Sequence, residues 1–241
     1  MSKRLPILEH LAELRRRFLL IIALWFGLFL LCAYFAADMY HLIALPLLAE
    51  LPQGGNLVAV DVASPFIAPL KLAAFSSMLL ILPVAFYQLW FFIAPGLYKK
   101  EKRLALPLLL STILLFYVGL LFVYFGVMPL ALSFFYRIAP EGVQIMTDIN
   151  RYLSFVLRLA FAFGTAFELP LVILILVKSG LVSVVWLKAN RSYVIVGCFV
   201  AAMLLTPPDI FSQILLAVPL CLLYEAGILL SGFGSSAKKT K

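Results

Sequence analysis

Apolar residues run along this chain in six long blocks, and most of the polar residues are confined to the connections between them. The blocks are roughly Phe18–Ala37, Pro69–Ala94, Leu104–Phe135, Tyr152–Val177, Ser192–Leu205 and Ile210–Leu230. A helix crossing the hydrocarbon of a bilayer needs about 20 apolar residues, and every block but the fifth has that length. The third is longer than one membrane thickness. The fifth holds fourteen residues. At about 1.5 Å per residue it reaches about 21 Å, against about 30 Å of hydrocarbon. It is read either as a short helix packed against its neighbours or as a device that thins the bilayer locally. The pattern predicts an all-α integral membrane protein with six transmembrane helices.

Prolines lie inside four of the blocks, at Pro83, Pro129, Pro170 and Pro219. Proline removes a backbone donor and clashes with the turn before it, so these helices are expected to bend or kink. The result is a curved bundle. The first outer segment, 38–68, carries an amphipathic stretch near Met39–Leu48 and a turn signal at Pro52-Gln53-Gly54-Gly55, and is expected to pack as a cap. The second, 134–151, carries the turn signal Pro140-Glu141-Gly142. No internal repeat is visible. Residues 1–231 are read as a single six-span domain and 232–241 as a polar cytoplasmic tail.

Composition supports this reading. The chain has 241 residues, 65% of them hydrophobic and 12% charged, where a soluble domain has about a quarter charged. The net charge of +8 does not point to nucleic acid, because the bases stand beside apolar blocks rather than in an aromatic-laced patch. Fifteen of the nineteen Lys and Arg residues fall in the N-terminal segment, the second-to-third connection, the fourth-to-fifth connection and the tail. By the positive-inside rule these are cytoplasmic, as are both termini. The first block is too long for a secretory signal, and Tyr34 and Phe35 stand where a cleavage site needs small residues. Cys32, Cys198 and Cys221 are odd in number, lack CxxC spacing and are read as packing residues.

Little in the sequence suggests catalysis. The two histidines, His10 and His41, fall on opposite sides of the membrane, and no HExxH, GxSxG or P-loop occurs. No catalytic residue, metal ligand or cofactor is expected. The acids are more informative. Glu168 lies within the fourth block, where an ionised carboxylate costs roughly 2.5–3.5 kcal/mol on insertion scales. It must face a cavity, a partner or protein. Gly164, one turn earlier, leaves room beside it, and Pro170 frees the Ala166 carbonyl. Asp209 precedes the sixth block and suits a helix N-cap, with Gln213 one turn on. Glu225 reaches the inner interface. Glu101 sits among Lys99, Lys100, Lys102 and Arg103. It is either neutralised by them on a solvated loop or aimed at an incoming guanidinium. Phe92 stands near it as an apolar contact. Glu13 and Arg17 have the favourable i, i+4 order for a helical ion pair. Arg158, a few residues inside the fourth block, is read as snorkelling outward.

Five segments together carry a resemblance: EHLAELRRR (9–17), DVASPF (61–66), FIAPGLYKKEKR (92–103), AFELP (166–170) and LLTPPDIFSQ (204–213). Their order, spacing and side of the membrane resemble the TatC family, the multi-spanning receptor subunit of the twin-arginine protein translocase, over about 8–231. The resemblance implies a concave, glove-like bundle of six helices, the last two short, in the bacterial inner membrane. It implies binding of twin-arginine precursor proteins, assembly with TatB-type and TatA-type single-span subunits and with further copies of itself, and transport of folded proteins driven by the proton-motive force. By the same resemblance Phe92, Glu101, Glu13 and Arg15 engage the signal peptide. Glu168 is the intramembrane acid, Asp209 the outer-loop acid, and Met203, Thr206 and Gln213 contact the single-span partners.

A basic cytoplasmic face does not attract a basic ligand by its general field, so specific carboxylates must recognise it. The basic residues serve topology and contact with membrane lipid. The alternative reading is a proton- or ion-coupled secondary transporter of small solutes, with Glu168 and Asp209 as relay acids. The missing repeat and the outer position of Asp209 tell against it.

Overall fold

The computed structural model describes residues 5–50, 57–93, 102–138, 146–205 and 210–236. Among them are ten α-helices: α1 (Leu5–Tyr34), α2 (Ala36–Glu50), α3 (Ser64–Ile93), α4 (Lys102–Phe122), α5 (Met128–Ile138), α6 (Ile149–Ala166), α7 (Leu169–Lys178), α8 (Val184–Ala189), α9 (Arg191–Leu205) and α10 (Ile210–Ser236). Five helical stretches are long and apolar enough to cross a membrane: Arg15–Tyr34, Ser64–Gln88, Leu106–Ile138, Ile149–Lys178 and Gln213–Gly232. They coincide with the first four apolar blocks and the sixth. The fifth block is α9, a shorter apolar helix of 15 residues. Hydrocarbon offers no water to a backbone N–H or C=O, so only structures that satisfy these groups internally can span it. The chain is an all-α integral membrane protein. Helix α10 runs to Ser236, into the segment read as a polar tail.

Two of the four prolines interrupt their helices. The third block is α4, a π-helical turn at Val123–Val127, then α5, which starts at Met128 directly before Pro129. Met128 N–H reaches back five residues to the Val123 carbonyl. This wider turn accommodates a ring that would collide with the fourth carbonyl back in a regular helix. The fourth block is α6, a turn at Phe167-Glu168, then α7 with Pro170 in its first turn. By contrast α3 and α10 continue unbroken through Pro83 and Pro219.

Packing divides the chain into two units, with boundaries falling inside α2 and α4. In the first, α1 and α3 run antiparallel. Arg17 meets Gln88 towards one end, and Cys32 packs with Ala36 and Ala73, flanked by Phe29, Ala33 and Met39, towards the other. Cys32 and Cys198 are buried, as packing residues would be.

In the second unit α4 crosses α6 at two glycines. A Cβ on Gly119 would lie 2.8 Å from the Phe163 carbonyl oxygen and 3.0 Å from Gly164 Cα, and one on Gly164 would lie 2.7 Å from the Phe116 ring. The room expected beside Gly164 is therefore filled by Phe116, not left open for Glu168. Small residues at such crossings let two backbones approach closely where no hydrophobic force separates lipid from protein. Helix α10 packs on α7 and α9, with Ile173, Leu187, Tyr224 and Ile228 in one cluster and Ala166, Cys198 and Leu220 in another. The Tyr224 hydroxyl donates to the Leu187 carbonyl at 2.9 Å. The segments 38–68 and 134–151 are joined by a short parallel ladder, β1 (Leu57–Val58) with β2 (Thr147–Asp148). The turn signals at 52–55 and 140–142 lie outside the described residues.

Gly119→Ala places its methyl against backbone, which cannot rotate away, so α4 and α6 must separate. It should destabilise by about 1–3 kcal/mol. Gly197, on α9, has nothing within 4 Å of its missing Cβ, so Gly197→Ala should raise stability by up to about 1 kcal/mol through backbone entropy. Thermal unfolding of the purified variants in detergent checks both, and a Gly119→Ala protein as stable as its parent would contradict the close crossing.

Candidate functional site

The first candidate surface begins on α1. Glu13 and Arg17 form the predicted i, i+4 pair, with Arg17 Nε donating to Glu13 Oε1 at 3.1 Å. Arg17 also donates from Nη1 to Gln88 Oε1 at 2.9 Å. One guanidinium thus bridges a carboxylate on α1 and an amide on α3. These residues line an open groove of about 370 Å³ with Arg16, Leu20 and Tyr87. Arg15 is exposed but does not line the groove, since residues two apart on a helix do not share a face. Phe92 lies in α3 four residues beyond Gln88. Glu101 and most of the 92–103 segment lie outside the described residues.

Gln88 and Tyr87 did not stand out in the sequence. A signal exists: they are the polar side chains near the end of a block that is apolar from Met78 to Phe86 before them. Glutamine there costs less than a charge, so it escapes a search for intramembrane acids.

Glu168 occupies the interruption between α6 and α7. Its N–H bonds the Thr165 carbonyl at 3.1 Å and its carbonyl accepts from Val172 N–H at 2.9 Å. The interruption arises because Pro170 brings no donor. The Glu168 Oε1 atom is shielded from solvent although the residue as a whole is half-buried. Phe167, next to it, packs against Phe122 with ring centroids 5.5 Å apart and the rings tilted by 45°.

Asp209 and Thr206 lie outside the described residues. Met203, in the last turn of α9, is 53% exposed. Gln213, near the start of α10, donates from Nε2 to the Phe199 carbonyl at 3.0 Å. Gln213 therefore ties α10 to α9. Glu225 pairs with Arg191, the first residue of α9, at 2.7 Å, so the acid read as reaching the inner interface meets a base.

A model of the family described as Sec-independent protein translocase protein (TatC) matches residues 9–219. The chain belongs to the TatC family. Among its relatives, Sec-independent protein translocase protein TatC of Escherichia coli K12 is 53% identical over 95% of this chain and 88% of the relative. That of Azotobacter chroococcum mcd 1 is 53% identical over 93% of this chain and 88% of the relative. That of Aquifex aeolicus is 39% identical over 98% of each. The crystal structure of a twin arginine translocase receptor, TatC, superimposes with a TM-score of 0.83 at 37% identity, over 94% of this chain and 99% of the other. The match spans both described units, and it makes this TatC-family chain a protein-transport component rather than an enzyme.

Glu168→Gln should leave insertion and folding nearly unchanged, because a neutral amide costs no more to bury than a carboxylate. If the acid serves transport, export by membranes carrying the variant should fall while its abundance stays at the parental level. Loss of the protein itself would assign Glu168 a structural role.

Proposed function

We propose that this chain is the membrane receptor of a twin-arginine translocase. It binds the signal peptides of folded precursors at its cytoplasmic face and, with TatA-type and TatB-type single-span subunits and further copies of itself, passes them across the membrane using the proton-motive force. The observation that carries this reading is the likeness, over nearly the whole chain, to a solved twin arginine translocase receptor. The clustering of Lys and Arg on one set of connections supports cytoplasmic termini in a bacterial inner membrane. Residues 1–231 act as one transmembrane domain and 232–241 as its tail.

In this reading Glu101 receives an arginine of the signal, Phe92 packs against its apolar part, and Glu13 and Arg15 extend the surface along α1. The Arg17 guanidinium on Glu13 and Gln88 is what an incoming arginine would look like there: a planar donor set shared between a carboxylate and an amide. Glu168 and Asp209 act later, during translocation, and Met203, Thr206 and Gln213 meet the single-span partners. The solute-transporter alternative has no observation in its favour.

Arginine offers a carboxylate two parallel bonds and lysine does not. Glu101→Ala should weaken binding of a labelled twin-arginine signal peptide by about 1.5–3 kcal/mol, the scale of a hydrogen bond to a charged group. Glu101→Lys should be worse, and a twin-lysine peptide should bind the parent poorly. Titration of the purified chain across this set is the test. Equal affinity for parent and Glu101→Lys would place recognition elsewhere, with Glu13 the next candidate.

A further inference from the structure

Arg158 lies nine residues into the span Ile149–Lys178, about 13 Å from its start at 1.5 Å per residue. It is exposed there. A guanidinium at that depth is costly unless something anionic reaches it. Arg151 is seven residues earlier, two turns along and on the same side of α6. Asn150, Ser154 and Arg158 follow at four-residue spacing, which sets them in one row. These residues, with Phe155, Leu204 and Leu205, line a groove of about 410 Å³.

Leu204 and Leu205 are the last residues of α9, the helix too short to cross the full hydrocarbon. The apolar wall beside Arg158 therefore ends where a full-length span would continue. A lipid headgroup settling over the end of α9 would be brought down to the depth of the arginine. Among the described residues no acid lines the groove. Asp148, the nearest in sequence, is engaged elsewhere, accepting at Oδ1 from the N–H groups of Asn150 and Arg151 at 3.1 and 2.8 Å as the cap of α6. Among the described residues neither guanidinium pairs with a carboxylate.

We propose that this groove is a binding site for the phosphodiester of an anionic glycerophospholipid in the leaflet at the Ile149 end of the span. Arg158 and Arg151 hold the phosphate oxygens, Asn150 and Ser154 supply neutral polar groups beside them, and the acyl chains lie against Phe155, Leu204 and Leu205. Two cations with no acid beside them among the described lining residues favour an anionic headgroup over a zwitterionic one, whose own cation would meet their like charge.

The test is native mass spectrometry of the full chain in a neutral maltoside detergent, titrated with dioleoyl phosphatidylglycerol or dioleoyl phosphatidylcholine. The parent should retain one phosphatidylglycerol at least tenfold more tightly than phosphatidylcholine. Arg151→Gln/Arg158→Gln should lose that lipid, Arg158→Lys should keep most of the retention, and Lys178→Gln/Lys188→Gln, which removes the same charge elsewhere, should keep all of it. Millimolar inorganic phosphate should not displace the lipid. Equal retention of both lipids by the parent overturns the proposal without recourse to any variant. So does unchanged retention in the double variant. Displacement by phosphate would assign the groove to a free anion. If Arg158→Gln instead leaves the lipid and abolishes co-purification of a single-span helix, the groove belongs to a protein carboxylate.

Discussion

A backbone polar group in hydrocarbon has no water to fall back on, and that constraint governs where this chain is allowed to depart from regular helix. It departs inside the membrane-spanning stretches at two places, the π-helical turn at Val123–Val127 and the turn at Phe167-Glu168. Each precedes a proline within three residues. The two are also neighbours: Phe122, just before the first, contacts both Phe163 and Phe167, the latter inside the second. Gly119 and Gly164 hold α4 and α6 at backbone distance one turn away from this contact. The two irregular turns thus lie against one another, with Val123 and Val127 buried and Phe125 exposed, and the glycines make that approach possible.

The same constraint sorts the charges. Glu168 stands at the one interruption of the fourth span, where backbone groups released by Pro170 already make the surroundings polar. Arg191 and Glu225 meet at 2.7 Å, yet both remain about two-fifths exposed. Such a pair contributes about 0–1 kcal/mol, so its value lies in fixing where α9 and α10 leave the membrane more than in holding them together. Tyr224, one residue before Glu225, does the firmer work through its buried bond to the Leu187 carbonyl.

What the sequence disclosed follows from which interactions are local. Block length and hydropathy located the five long apolar helices and the shorter α9, because burial in lipid depends on each segment's own composition. The Glu13–Arg17 pair was legible because its partners are one turn apart. Proline told that Pro129 and Pro170 would disturb their helices but not that Pro83 and Pro219 would leave theirs continuous. Local sequence is the same kind of signal at all four positions. The filling of Gly164 by Phe116, the bridge from Arg17 to Gln88 and the ladder between Leu57–Val58 and Thr147–Asp148 were not legible. Each joins residues dozens of positions apart, and no periodicity encodes which two helix faces will meet. The candidate signal-binding positions were found by motif, since Glu101 looks from composition alone like an acid lost among lysines.

The groove between α1 and α3 bears on how a basic peptide could be received by a basic surface. Glu13 is half-exposed, and the arginine it holds comes from its own helix. Exchanging that internal guanidinium for an external one breaks an i, i+4 pair worth about 0.3–0.5 kcal/mol and remakes a bond of the same kind. Such an exchange is close to neutral in energy, and it frees Arg17 to stay with Gln88. Affinity therefore cannot come from Glu13 alone. Under the function proposed above it would come from the other proposed contacts, Glu101 and Phe92. In that function the α1 end of the surface would set orientation at little energetic cost, and the strength of binding would reside with Phe92 and Glu101. That division lets a strongly cationic face, needed to fix topology, coexist with recognition of a cationic ligand.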